Sequence, residues 1–446
     1  MSVHHVYNLY ARDFGGFLRF ALRWGALGSL VGVLAGTASA IFLIALDWAT
    51  QTRILNPWLI GLLPLGGFLM GWSYRRFGGA AALGNNLVID EVNRTRTRIP
   101  LRMAPMVLAG TVLTHLLGGS AGREGTAIQM GASLADNLRR LLYPVGQAAF
   151  GQELMGQERR LLIMAGIAGG FGSVFGVPAA GFVFGMEVQR VGRIRYEGLI
   201  PCMAASYIGD LVTRAWGAPH AHYPHLAATP NDPWLLGKVI VAGIGFGLTA
   251  LLFIELIHAI KGGWARLTAY TPLYPVMGGV LVLGLTWLVD TTDYLGLSLP
   301  LIYAAVGAGG EVVLYAFALK LLFTAITLGS GYLGGEVTPL FVIGSTLGYT
   351  LGHLLGVDPA FLASIGLVAV FAGAANTPLA CAIMGIELFG GNAALYLFAG
   401  CAAAYLASGH RGIYTTQRLD TPKGHALDLE EHESLHTFNA RRGGGW

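Results

Sequence analysis

Charge is scarce in this chain. Asp, Glu, Lys and Arg make up 12% of its 446 residues, against about 25% in an ordinary soluble domain. That shortfall excludes a water-facing surface over most of the molecule. Neither sign dominates: the formal net charge of +4 gives no electrostatic case for a nucleic-acid partner. Cysteine is nearly missing. Cys202, Cys381 and Cys401 all lie in apolar segments, with neither metal-site nor disulfide spacing, and read as small core residues. No His-Glu-x-x-His, no clustered aspartates at span ends and no Ser/His arrangement occur, so no metal, no cofactor and no enzymatic activity are expected. No cleavable signal peptide is recognisable. Residues 1–24, with Arg12, Arg19 and Arg23, read as a cytoplasmic amphipathic segment.

What is abundant is apolar. The chain is 54% hydrophobic with 66 glycines, and its mean hydropathy is +0.59. A polytopic helical membrane protein with close helix packing and interrupted helices fits these values. A span needs about 20 apolar residues. Candidate spans are 25–49, 57–73, 103–119, 161–187, 196–213, 234–260, 274–289, 312–330, 337–356, 361–389 and 392–408. Some are broken by Gly and Pro, as at Phe175-Gly-Val-Pro178 and Ala374-Ala-Asn-Thr-Pro378. Broken helices at membrane depth are tolerated where they line a site or are covered by protein.

Basic residues mark the cytoplasmic side. They cluster at Arg75-Arg76, Arg94/Arg96/Arg98/Arg102, Arg139-Arg140, Arg159-Arg160, Arg190/Arg193/Arg195 and Lys261/Arg266, while loops 217–233 and 290–300 carry none and are expected outside. The chain then divides into a first membrane half, 25–215, an external loop, 216–233, a second half, 234–418, and a short cytoplasmic tail, 419–446.

The two halves repeat. Val177-Pro-Ala-Ala-Gly-Phe-Val-Phe-Gly-Met-Glu187 is similar to Thr377-Pro-Leu-Ala-Cys-Ala-Ile-Met-Gly-Ile-Glu387, 200 positions on, and Gly122-Arg-Glu-Gly-Thr126 is similar to Gly334-Gly-Glu-Val-Thr338, 212 positions on. Two segments recurring in one order imply a transporter built from repeats, with its site where broken helices meet. The most informative stretch is Gly118-Gly-Ser-Ala-Gly-Arg-Glu-Gly-Thr126, a glycine-rich loop that opens a helix and carries one carboxylate. Unpaired N–H groups and the positive dipole end at such a helix start bind a small anion. A carboxylate beside them competes for that place, and an ionisable group at membrane depth marks function.

Four segments carry polar groups into the spans: Gly84-Asn-Asn86, Gly122-Arg-Glu-Gly-Thr126, Gly334-Gly-Glu-Val-Thr-Pro339 and Arg411-Gly-Ile-Tyr414. In this order, and with Phe175-x-x-Pro-x-x-Gly-x-x-Phe184, they resemble the CLC family of chloride channels and chloride/proton exchangers from about residue 25 to 418. The resemblance implies an all-α polytopic CLC fold of two inverted halves with broken helices, a homodimer with one pathway per subunit, and helix N-termini aimed at a central anion. It makes Glu124 the gate and proton carrier. It places Asn85, Gly122, Gly125, Glu336, Val337, Thr338 and Tyr414 around the anion, with the Tyr414 hydroxyl as a donor; without the resemblance, Tyr414 reads as an interfacial anchor.

The departures from the chloride pattern are specific. Asn85 replaces the family's serine, Val337 its second-half phenylalanine, and Thr126 the proline after Gly-Arg-Glu-Gly. Val188 follows Glu187 where chloride exchangers carry an inner glutamate. Together these are similar to the fluoride-exporting branch, implying fluoride and protons as cargo, lipid as surroundings, and a bacterial inner membrane. A chloride/proton exchanger and a passive anion channel are the alternatives. Fluoride is small and strongly hydrated, so it needs close donors; the Asn85 amide and the Thr338 hydroxyl are candidates, although Thr338 is equally placed to hold Glu124. Arg123 reads as a structural partner. His115 reads as a hydrogen-bonded packing residue, His220, His222 and His225 as a solvated loop, Glu255 and His258 as paired with polar neighbours, and Asp290 and Asp293 as shaping the outer potential.

Overall fold

The computed structural model describes residues 3–94, 97–142, 152–307, 311–424 and 433–441. Arg96 of the basic clusters and parts of the N-terminal segment and tail lie outside them. The described residues form seventeen α-helices and two two-residue strands.

The first half comprises α1 (Val3–Leu55), α2 (Leu63–Ser73), α3 (Asn85–Arg94), α4 (Met103–Leu116), α5 (Glu124–Leu142), α6 (Gln152–Phe175), α7 (Pro178–Glu187), β1 (Arg190–Val191) and α8 (Leu199–Ala215). The second comprises α9 (Pro233–Leu267), α10 (Leu273–Val289), α11 (Leu299–Ala305), α12 (Ala316–Gly329), α13 (Val337–Leu355), α14 (Pro359–Ala375), α15 (Pro378–Phe389) and α16 (Ala394–Ala407). A tail follows with β2 (Arg418–Leu419), paired in parallel with β1, and α17 (Leu435–Arg441).

Two expectations are corrected. The N-terminal segment is not separate, because α1 runs from residue 3 through the first span; no proline interrupts it before Pro57. As the Gly and Pro breaks imply, the apolar runs are not one crossing each. Among the described residues Phe14–Leu55 and Pro233–Leu267 are long and apolar enough to cross a membrane, whereas several other apolar helices have 10–17 residues. Finally, α3, α5 and α11 were not among the candidate spans. Helix α5 carries Thr126, Gln129, Ser133 and Asp136, all buried, so hydropathy hides a helix covered by protein rather than lipid.

The breaks fall where Gly and Pro place them. Gly176 takes a positive φ of 72° and Asn376 one of 58°. Each precedes an extended residue, Val177 or Thr377, that proline at the next position keeps out of the helical region. The repeat is now geometric. Phe171 on α6 stacks on Phe371 on α14, 6.2 Å apart at 13°. Helices α5 and α6 touch through Gly131 and Gly166, as α13 and α14 do through Gly344 and Gly366. A Cβ on any of the four would lie 2.0–2.5 Å from the partner's carbonyl oxygen.

The two halves also cap each other. Glu187, ending α7, accepts Leu379 N at 3.1 Å and Ala380 N at 2.8 Å, the open amides of α15. Glu387, ending α15, accepts Ala179 N at 2.8 Å and Ala180 N at 2.7 Å on α7. Each carboxylate sits at the positive dipole end of the other half's helix. This exchange is what a twofold relation between inverted halves requires.

Candidate functional site

The glycine-rich loops meet at the junction of the halves. Gly122 and Gly335 form an antiparallel bridge, Gly122 N to Gly335 O at 2.6 Å and Gly335 N to Gly122 O at 2.8 Å. This brings the first residue of α5, Glu124, beside the first turn of α13. A Cβ on Gly335 would lie 2.8 Å from Gly125 N and 3.0 Å from Glu124 N, so glycine is what allows this approach.

Glu124 is fully buried. Its carboxylate lies on the N-terminus of α13 and accepts Thr338 N at 3.0 Å, the Thr338 hydroxyl, and Arg123 N at 3.1 Å. The Arg123 guanidinium approaches within 3.5 Å. Thr338 therefore holds the Glu124 carboxylate, one of the two placements the sequence left open. The carboxylate occupies a cradle of amides and a hydroxyl suited to a small anion.

Around it lie polar groups with unused capacity. Asn85 starts α3, and its amide nitrogen would be 2.8 Å from a Cβ on Gly125. The Glu336 Oε2 lies beside the same position, 3.4 Å from that Cβ. Asn85 Oδ1, Glu336 Oε2 and the Tyr414 hydroxyl are buried without a hydrogen-bond partner. Buried polar atoms are normally satisfied, so three unpartnered ones at Asn85, Glu336 and Tyr414 leave hydrogen-bonding capacity for a polar ligand. Tyr414 is 2% exposed and is not an interfacial anchor. Its loop is stitched to α3, with Thr416 Oγ1 donating to Asn86 O at 2.9 Å, and to α14, with Ile413 N donating to Ala374 O at 2.9 Å.

Val337 is buried at the start of α13. Val188 is buried too, and its carbonyl accepts Gln417 Nε2 at 2.8 Å. His115 bridges Thr111 O at 2.9 Å and Ala121 O at 3.0 Å, which matches a packing role. Glu255 pairs with Arg411 at 2.9 Å, and His258 contacts Ile254 O at 2.7 Å. His220 corrects the reading of a solvated loop: its Nε2 contacts Ser173 O at 2.8 Å and ties the loop between α8 and α9 to the end of α6.

Two supports escaped the sequence reading. Arg159 joins Asp136 at 2.6 Å and Glu91 at 2.8 Å, locking α6 to α5 and to α3, which carries Asn85. Lys320 is fully buried and donates to Ser120 Oγ at 2.9 Å, in the loop before Gly122. The spacing of these residues in sequence gives no sign that they meet; a charge within an apolar run, as at Lys320, was the available signal.

The fold is that of an anion-transporting membrane protein built from two inverted halves. The chain belongs to the CLC family: a family model described as "Voltage gated chloride channel" matches residues 66–409. Relatives agree. The chain is 46% identical over 420 residues to a "Chloride/fluoride channel protein" of Pseudomonas syringae pv. tomato, covering 93% of this chain and 90% of that one. It is 25% identical over 394 residues to an "H(+)/Cl(-) exchange transporter" of Vibrio vulnificus, covering 81% of each. Among solved structures, a "CLC-type fluoride/proton antiporter" superposes with a TM-score of 0.83 at 31% identity, over 90% of this chain and 98% of that one.

Proposed function

We propose that this protein exports fluoride in exchange for protons, with Glu124 as both gate and proton carrier. The observation that carries the reading is the seat of Glu124 on the N-terminus of α13, where Thr338 donates both its amide and its hydroxyl. A carboxylate there fills an anion's place. Protonation removes its charge and weakens its hold, so an anion takes the cradle while the proton leaves with the side chain. One group thereby alternates two cargoes.

Asn85, Gly122, Gly125, Glu336, Val337, Thr338 and Tyr414 surround the anion in this reading. The unpartnered Tyr414 hydroxyl and the Asn85 amide nitrogen beside Gly125 are the donors for the central position. Glu336 suits an anion when it carries a proton, because its acid O–H then donates. The buried valine at 188 leaves the anion route itself as the proton's way to Glu124. The names of the similar Pseudomonas protein and of the similar antiporter structure support fluoride as cargo. The reading includes a homodimer with one pathway per subunit in a bacterial inner membrane.

The test is purified protein in liposomes under a fluoride gradient, with internal pH and fluoride followed together. Proton movement opposite in sense to charge-balanced fluoride movement is expected. Fluoride flux without proton flux makes the protein a channel, and faster chloride than fluoride exchange makes it a chloride/proton exchanger.

A further inference from the structure

We propose a second anion site, an outer antechamber in which Arg53 holds a halide before it reaches the gate. A cavity of about 430 Å³ opens on the side of the two external loops, with Arg53, Arg123, His220, Asp293 and Ser298 in its wall. Arg53, near the end of α1, is 9% exposed, and its buried Nη1 has no hydrogen-bond partner. Asp47 and Asp293 also line the cavity, yet among the described residues no carboxylate pairs with Arg53.

A second buried basic side chain stands behind the first. The Lys320 Nζ donates to Gly296 O at 2.8 Å, Ser298 Oγ at 2.9 Å, Ser120 Oγ at 2.9 Å and Tyr294 O at 3.1 Å, all neutral acceptors. The Arg53 guanidinium lies against the same Gly296, where a Cβ would be 2.8 Å from Nη1. Two buried basic side chains thus flank one residue with no acidic partner, and the guanidinium of Arg53 is the one that keeps its charge. Buried charges persist when paired. The missing counter-charge belongs in the cavity that Arg53 faces, and a single guanidinium with water behind it holds a monovalent halide without selecting among halides.

The site adjoins the seat of Glu124. Arg123, Ala221 and Leu299 line both this cavity and a space of about 10 Å³ bounded by Thr338, Phe341 and Phe175, which has room for about one water-sized body. The role in transport rests on the anion reading of the central site; the existence of the site does not.

The test uses bromide as probe. Crystals of the full-length protein grown in bromide should show anomalous density in contact with the Arg53 guanidinium, and Arg53→Gln should abolish it. In liposomes, the external fluoride concentration giving half-maximal flux should rise about tenfold in Arg53→Gln, the size of one hydrogen bond to a charged group, and Arg53→Lys should recover most of the loss. No bromide beside Arg53 in the wild type, or density that persists in Arg53→Gln, overturns the site. Should the wild type move no fluoride while bromide still occupies the antechamber, the function proposed above fails and this site stands.

Discussion

Glu124 and Thr338 lie 214 positions apart in the chain, yet the Thr338 amide and hydroxyl both donate to the Glu124 carboxylate. The bond joins the first helix turn of one half to a side chain of the other. Its consequence is chemical: the seat is strong for a carboxylate and weak for a carboxylic acid. Glu124→Gln mimics the acid and has no proton to release. Proton-coupled fluoride transport should vanish in it, read by a pH-sensitive dye inside liposomes. Sustained fluoride-driven proton pumping by this variant would end the proposed role.

Thr338 and Asn85 should set how well fluoride is preferred. Thr338→Ala removes a hydroxyl from the seat, and Asn85→Ser restores the residue common in chloride proteins. A hydrogen bond to a charged group contributes about 1.5–3 kcal/mol, so each change should alter the fluoride/chloride flux ratio or the fluoride turnover by more than tenfold. Ion-selective electrodes on reconstituted protein give both numbers. Unchanged flux in both variants would remove these side chains from the selective step.

Much of this site was legible in the sequence because backbone chemistry dictates it. Glycine loops, a proline two residues after each break, and a recurring carboxylate announce helix N-termini aimed at one place. The 200-residue offset of Glu187 and Glu387 already implied two halves, although not that each caps the other. What stayed hidden depends on distant contacts. Helix α5 is half polar because protein surrounds it. His220 is fixed to α6 by a single contact that no local pattern encodes. The pairing of Arg159 with Glu91 and Asp136, and the meeting of Arg53 with Lys320 at Gly296, arise from tertiary packing alone.

The reciprocal caps should both matter for stability, the more buried Glu187 more than Glu387. Glu187→Ala strands the amides of Leu379 and Ala380, and Glu387→Ala those of Ala179 and Ala180. Each buried donor left unsatisfied costs about 1–3 kcal/mol. Both variants should therefore melt well below the wild type in detergent, followed by tryptophan fluorescence. A wild-type melting temperature in either would show that the cap on that side is idle.

Val188 should be dispensable for protons. It is 1% exposed, and its side chain has no group that titrates. Val188→Ala is expected to keep fluoride and proton movement coupled. Loss of proton flux with fluoride flux intact would reinstate an inner route through this position.

The tail should dock more firmly as pH rises. Lys423 lies beyond the last span with its Nζ donating to Asn376 Oδ1 at 2.5 Å, Tyr405 O at 2.8 Å and Ser408 Oγ at 3.1 Å, and 4.0 Å from the Tyr405 ring centre. Burial pulls its ammonium group down to about 7, whereas a free lysine titrates near 10.4. Between those values the undocked tail binds the proton and the docked tail does not, so docking gains with pH across that window. Below about pH 7 both states are charged, and the full cost of burying the cation opposes docking. Limited proteolysis of residues 415–441 should be slower at pH 9 than at pH 6.5 in the wild type, relative to Lys423→Met, which carries no charge at either pH. If the two proteins are cut in the same ratio at both pH values, Lys423 does not couple the tail to pH.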